Sequence, residues 1–407
     1  MRAREQRERR SKANEGTRGA KEQWKRETIW AREQCERGRT MEELRNTIWD
    51  LPTPAVTVDL DIAERNVKKM ADEAARHGLV HRPHIKTHRS GYFAQMQIEA
   101  GCTGITAAKL GEAEVMADDG IADIFIAYPI IGEDKLERLV KLHRRVKVST
   151  IVNSVEGARG LSRAFDAAGR TIQVLIEIDG GLNRGGVKPE AAFKFAEAIR
   201  DLPGIAIVGL MYYGGLIYNS HNIAEVEEYT RRERDCLVQT AGQLREHGFC
   251  MDVLSAGSSY SGKRPELLEG ITEIRSGHYI FNDCGQLDVH LAEPEDCALT
   301  VITTVVSKPD THVVICDVGT KSLTSDACHY RKGYGYVMGH PDMEIYALNE
   351  EHAFLRCEGE NPLQIGDKIQ IIPNHACVVT NLADKVYGTR NGVFEQMIAV
   401  DAKGKSV

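Results

Sequence analysis

From residue 54 onward the chain repeats one rhythm, a short β-branched run followed by a longer amphipathic stretch with helical spacing. "AVTVD" (55–59) leads into a helical pattern through Met70, "VHRPHIK" (80–86) precedes one near 90–100, and "GITAA" (104–108) precedes "KLGEAEVMA". "DIFIAY" (123–128), "KVSTIV" (147–152), "IQVLIEI" (172–178), "AIVGLMY" (206–212) and "DVLSA" (252–256) follow with helical partners, and "TEIRSG" (272–277) ends the series. Strands alternating with helices over roughly 230 residues predict a parallel sheet. The eightfold count favours a closed (β/α)8 TIM barrel over an open doubly wound sheet. No GxGxxG fingerprint follows the first strand, which weighs further against a dinucleotide fold. After about residue 290 the runs "ALTVITTVVS", "HVVICDVG", "EIYALN", "EHAFLRC" and "KIQIIPNHACVVTN" read as strands with few helical gaps, a smaller all-β C-terminal domain. The expected organisation is a basic N-terminal extension over 1–45, a barrel over 50–290 and the β domain over 291–407.

Composition narrows the function classes. A chain of 407 residues exceeds one ordinary core, and 42% hydrophobic with 27% charged residues is globular and soluble. No apolar run approaches the ~20 residues of a membrane helix. A net charge of −7 gives no global attraction for nucleic acid or anionic lipid. Ten cysteines without a CxxC pair fit a reducing cytoplasm. Residues 1–40 hold 13 Arg and Lys against 7 Glu, with few aliphatic side chains, and are expected to be disordered or a frayed helix. The segment lacks the apolar core of a secretory signal, and its acidic residues oppose a mitochondrial presequence. An RNA-binding arm is one reading, and a true start at Met41 is the preferred one.

Chemistry in closed barrels gathers at the carboxyl ends of the strands. The unusual polar residues fall there: Lys86, Tyr128, Asn153, Asp179 with Arg184, Tyr213, Gly257 with Ser258, and Ser276 with Gly277. Lys86 sits in "PHIKTH" (83–88), and a desolvated lysine at a strand end can form a Schiff base with an aldehyde. Pyridoxal phosphate (PLP) needs a phosphate cradle and a group facing its pyridine nitrogen. "SAGSSYSG" (255–262) and "EIRSGHY" (273–279) are hydroxyl- and glycine-bearing turns suited to phosphate, and "IDGGLNRGG" (178–186) presents Arg184. Singly, each has a plain structural reading as a solvated lysine, an ordinary turn or an ion-pair partner; their joint placement carries the PLP reading. In "IIPNHACVV" (371–379) the strand-like spacing puts His375 and Cys377 on one face. Imidazole and thiolate suit a divalent metal, Zn²⁺ first, with Mn²⁺ or Mg²⁺ as alternatives; a pair packed on a sheet face is the other reading.

"TPAVTVDLDIAERNV", "RPHIKTH", "DGGLNRGGV", "SAGSS" and "PNHAC" occur in the order and spacing of a known family. Across residues 50 to 400 the chain resembles the D-serine dehydratase and D-threonine aldolase group, fold-type III PLP enzymes with an alanine-racemase-like barrel. The resemblance implies that Lys86 is the PLP lysine and that Arg184 faces the pyridine nitrogen. It places Tyr213 near the cofactor, puts Gly257, Ser258, Gly277 and Tyr279 around the phosphate, and gives His375 and Cys377 a divalent metal. It implies a small D-amino acid substrate and a homodimer. In the family, HxC goes with dehydratases and HxD with aldolases, so Cys377 points to loss of water from a D-β-hydroxy amino acid such as D-serine or D-threo-3-hydroxyaspartate. Leu216 stands where many members carry a histidine after the family tyrosine, which also disfavours the aldolase. D-threonine aldolase, giving glycine and an aldehyde, is the runner-up. A racemase using Tyr334 or Tyr336 as second acid/base, and a non-catalytic PLP carrier, are more remote. Asp317, Lys321 and Asp326 are read as organising turns, with a place in the substrate pocket as the alternative, and His352 as a surface residue or an outer contact of the metal site.

Overall fold

The computed structural model describes residues 47–328 and 331–407. The expectation for the basic extension over 1–45 lies outside the described residues. The first strand, β1 (Ala55–Asp59), runs into the helix Leu60–Arg76, whose first free N–H groups are met by Asp59 accepting from the Ile62 N–H at 3.0 Å. That helix buries Leu60, Ala63, Val67, Met70 and Ala74, the three-and-four spacing of one helical face.

Eight further strands build the first sheet: β2 (Val80–His81), β3 (Ile105–Ala107), β4 (Asp123–Pro129), β5 (Lys147–Val152), β6 (Ile172–Ile178), β7 (Ile205–Tyr212), β8 (Val253–Ala256) and β9 (Glu273–Ile274). Their order is β2-β9-β8-β7-β6-β5-β4-β3, every pair parallel, and a bridge between His84 and Thr106 joins the two ends. Phe125, Ile151, Leu175 and Met211 from four successive strands form one cluster, while Ile124, Ile126, Val174 and Ile176 belong to the large core beneath the helices. Both faces of these strands are buried, so they read as continuous apolar runs. Beneath β2, the buried Arg82 joins Glu273 at 2.9 Å and Asp123 at 2.5 Å, tying β9 to β4 across the sheet's two ends.

The second sheet holds β10 (Leu299–Ser307), β11 (Val313–Cys316), β12 (Tyr336–Val337), β13 (Glu344–Leu348), β14 (Ala353–Arg356), β15 (Lys368–Ile372), β16 (Lys385–Arg390) and β17 (Val393–Ala399). β1 belongs here too. It pairs antiparallel with β10, Ala55 opposite Ile302, and parallel with β16, Thr57 opposite Tyr387. The run "AVTVD", read above as the first beat of the barrel series, therefore enters through the β domain before the barrel begins. A strand followed by an amphipathic helix looks alike in sequence whichever sheet receives the strand.

The segment "KIQIIPNHACVVTN" also divides differently. β15 ends at Ile372, and Ala376–Leu382 is helical with His375 at its N-cap. His375 and Cys377 are thus at a helix start, not on a strand face. Pro373 donates no backbone hydrogen bond, and the strand stops before it.

Candidate active site

The turn after β2 shows what "PHIKTH" does. The Pro83 carbonyl accepts the Thr106 N–H at 2.8 Å, fixing the turn to β3. His84 Nδ1 accepts the Lys86 N–H at 3.4 Å, and Ile85 and Thr87 are buried on either side. Proline and histidine thus anchor a one-turn 3-10 helix that projects Lys86 from the carboxyl end of a barrel strand. Its Nζ lies 5.7 Å from the centroid of the Tyr213 ring, and the Arg184 guanidinium lies 4.4 Å from the same ring.

Lys86 opens on a cavity of about 470 Å³, within the range of small-molecule sites. His375, Cys377, Asp326 and Tyr213 line it with Lys86. A narrower recess continues from Lys86 between Tyr213, Gly257, Ser258, Ser259, Arg275 and Gly277. Gly257 has φ +78°, and a Cβ there would stand 2.7 Å from the Ile274 side chain; at Gly277 it would stand 2.9 Å from the His84 carbonyl. The Ser259 hydroxyl accepts the N–H groups of Gly277 and Tyr279 at 3.0 and 3.1 Å, joining the two turns. This cradle of glycines and hydroxyls, with a buried guanidinium at its floor, fits a phosphorylated aldehyde reaching out to Lys86.

The sequence-predicted residues do not all converge. Lys86, Tyr213, Gly257, Ser258 and Gly277 line the recess. Arg184 is exposed and stacks on Tyr213 without lining it. The Tyr279 side chain turns into the core, where its hydroxyl accepts from Gln97 Nε2 at 3.0 Å, so only its backbone reaches the cradle. Two groups were missed. Arg275, from "EIRSGHY", donates to Ser255 Oγ at 2.6 Å and the Tyr212 carbonyl at 2.8 Å. Burial lowers its pKa against the opposing charges of Glu273, Glu233 and Glu177. A buried arginine directly after the short strand β9 was the signal. Glu233, from the helix Ile223–Glu246, accepts the Gly257 N–H at 2.6 Å, and burial raises its pKa; nothing in its polar surroundings marked it.

His375 and Cys377 line the cavity together and act on each other's charge. Burial opposes the imidazolium, but the thiolate charge, Asp283 and Asp326 outweigh it and raise the His375 pKa to about 10. Burial likewise opposes the Cys377 thiolate, yet His375, Lys86 and Thr87 lower its pKa. Each of the two shifts thus favours the charged form of its group. Asp326 Oδ2 lies 2.7 Å from His375 Nδ1, so the carboxylate holds the imidazole in place. Asp326 thus reaches beyond its own turn and lines the cavity, Asp317 accepts from Thr53 and from Thr303 and the Thr304 N–H on β10, and Lys321 pairs with Glu350 and Glu351 at the surface. His352 is exposed, and neither Tyr334 nor Tyr336 lines the cavity. Among the described residues no group of three His, Cys, Asp or Glu could hold a metal.

The two halves are latched. Thr87 Oγ1 lies 3.2 Å from Cys377 Sγ, and the Thr380 hydroxyl donates to the Thr87 carbonyl. Thr380→Val should destabilise the protein by about 1–3 kcal/mol, because a buried carbonyl loses its donor. Urea unfolding checks this; an unchanged midpoint would deny the latch any weight.

A barrel with a lysine in its mouth and a phosphate cradle beside it defines a fold-type III PLP enzyme. Residues 58–284 match the family model described as alanine racemase, N-terminal domain, and residues 298–389 match a putative serine dehydratase domain. The chain belongs to this family, within the group of PLP-dependent lyases of D-β-hydroxy amino acids. It is 33% identical to the D-threonine aldolase of Arthrobacter sp., over 87% of this chain and 93% of that protein. The crystal structure of D-threonine aldolase from Filomicrobium marinum superposes with a TM-score of 0.82 at 31% identity, covering 88% and 98% of the two chains. D-threo-3-hydroxyaspartate dehydratase from Delftia sp. HT23 gives 0.81 at 30% identity over 87% and 98%, and a cysteine-to-alanine variant of that dehydratase has been solved in a metal-free form.

Proposed function

We propose that the protein is a D-serine-type dehydratase, converting a D-β-hydroxy amino acid to a 2-oxo acid and ammonia. The observation that carries this reading is the Thr87–Cys377 contact, which sets the Lys86 amine and the His375–Cys377 pair on one cavity of one chain. PLP, when bound, stabilises negative charge developing at the substrate's α-carbon. A divalent cation, Zn²⁺ by the softness of an imidazole–thiolate pair, acts when bound as a Lewis acid toward the β-hydroxyl. Lys86 Nζ is the attachment point and the base that takes the α-proton. Arg184, stacked on Tyr213, is proposed to face the ring nitrogen, and Arg275 to fix charge at the floor of the recess. Gly257, Ser258, Gly277 and the Tyr279 backbone hold the phosphate. Burial holds His278 neutral beside Lys86, so it adds no competing charge. Loss of water needs a base at the α-carbon and an acid at the β-oxygen; aldol cleavage needs a base at the β-oxygen, and position 216 supplies only leucine. The working unit is proposed to be a homodimer.

The test is product analysis of purified enzyme with D-serine, D-threonine and D-threo-3-hydroxyaspartate, with and without EDTA. The expected result is 2-oxo acid and ammonia, lost on chelation and restored by Zn²⁺. Glycine and an aldehyde as the main products would make the enzyme an aldolase.

A further inference from the structure

The recess beside Lys86 holds one acid that the proposed chemistry does not use. Glu233, on the helix Ile223–Glu246, is 2% exposed and lines the recess with Gly257, Ser258, Arg275 and Gly277. A cradle for an anion ordinarily presents donors and cations, and a carboxylate in its wall repels the group the cradle holds. The local geometry shows how it is tolerated. Glu233 Oε1 accepts the Gly257 N–H at 2.6 Å, while Oε2 has no hydrogen-bond partner and is packed so closely that a Cβ at Gly214 would stand 3.0 Å from it. No ion pair reaches the carboxylate among the described residues. Arg275 is the opposing charge that acts on it, but its N–H groups go to Ser255 Oγ and the carbonyls of Ala256 and Tyr212, and Glu273 and Glu177 share its charge.

A buried carboxylate without a cation in contact is stable chiefly as the neutral acid. Burial accordingly raises the Glu233 pKa, against the lowering by the Gly257 N–H, Arg275 and Ser261. The other groups around it supply no countercharge. Tyr212, at the end of β7, has its own pKa pushed up, by burial first and then by the Glu233 charge. His84 and His278 on the recess wall are held neutral by burial. A phosphate dianion entering the recess brings a like charge to this wall, which favours the neutral acid further.

We propose that Glu233 couples cofactor retention to one proton: it is neutral while phosphate fills the recess and ionises when the phosphate leaves. It is a positioning residue, since it meets Gly257 and acts on the cofactor through that turn and through its charge. The inference rests on the reading of this recess as the phosphate cradle, and not on which lyase reaction follows. Rising pH then loosens the grip on phosphate, and falling pH tightens it. The test compares PLP with pyridoxal, which attaches to the same lysine but carries no phosphate, so that the titration of Lys86 cancels. Holoenzyme is dialysed to equilibrium against each aldehyde at a series of pH values above about 7, where phosphate is already dianionic, and bound aldehyde is counted. In the wild type the affinity ratio of PLP to pyridoxal should fall with pH, by up to about tenfold per unit. In Glu233→Gln, whose amide oxygen keeps the Gly257 contact without titrating, the ratio should stay flat. Glu233→Ala should weaken PLP about tenfold at every pH, because Gly257 loses its acceptor; a purely structural role gives that loss without the wild-type slope. Melting curves check that the variants fold, and the wild-type slope is read without them. A flat wild-type ratio, or the same slope in Glu233→Gln, overturns the proposal. Pyridoxal binding as tightly as PLP overturns the cradle reading and this proposal together, whereas glycine and an aldehyde as products would refute the dehydratase alone.

Discussion

Lys86→Ala is expected to lower turnover of D-serine by at least about 10⁴-fold, since one group supplies both the covalent attachment and the base at the α-carbon. The same variant should lose the absorbance near ~420 nm of lysine-linked cofactor while free PLP still binds weakly in the cradle. The turn itself should survive, because Ile85, Thr87 and the His84–Thr106 bridge hold it without the ammonium. Lys86→Arg should be as inactive, keeping the charge but not the nucleophile. A full ~420 nm band in Lys86→Ala would assign the attachment to another residue.

The second large effect belongs to the metal pair. His375→Ala and Cys377→Ala should each abolish stoichiometric metal binding, because each removes one of the two proposed ligands, and should cut dehydration by about 10³-fold or more while leaving the cofactor spectrum intact. Removing Asp326 acts at one remove: Asp326→Ala should weaken metal affinity by about 10–100-fold, as loss of an orienting carboxylate does elsewhere. Metal analysis after dialysis separates this from misfolding, and excess Zn²⁺ should rescue Asp326→Ala but not the ligand variants. Wild-type metal content in Cys377→Ala would remove the thiolate from the site.

The longer barrel strands, such as β5 and β6, were legible because most of their residues are buried on both faces, which favours β-branched runs. What the sequence could not say was which sheet each run joins, and "AVTVD" went to the other one. Lys86, Tyr213, Gly257, Ser258 and Gly277 were readable as strand-end residues, since a barrel gathers those ends without further information. The His375–Cys377 pair was found on the wrong geometry. Spacing of two suits a strand face, but Pro373 ends the strand, and the two side chains meet instead at a helix start. Asp326 is 49 residues from His375 in the chain and meets it only through tertiary packing. Arg275 was hidden by its neighbours: within "EIRSGHY" the glycine carried the argument, while the buried cation beside it passed as an ordinary strand residue.

In the proposed reaction the substrate β-hydroxyl reaches the metal while its amine is held at the Lys86 cofactor. Cobalt-substituted enzyme tests this directly, because the visible d–d bands of Co²⁺ report any change in its coordination. Adding D-serine should shift those bands, whereas D-alanine, which lacks the hydroxyl, should change the cofactor spectrum and leave the cobalt bands in place. Cobalt bands indifferent to D-serine, under conditions where the cofactor spectrum responds, would contradict it.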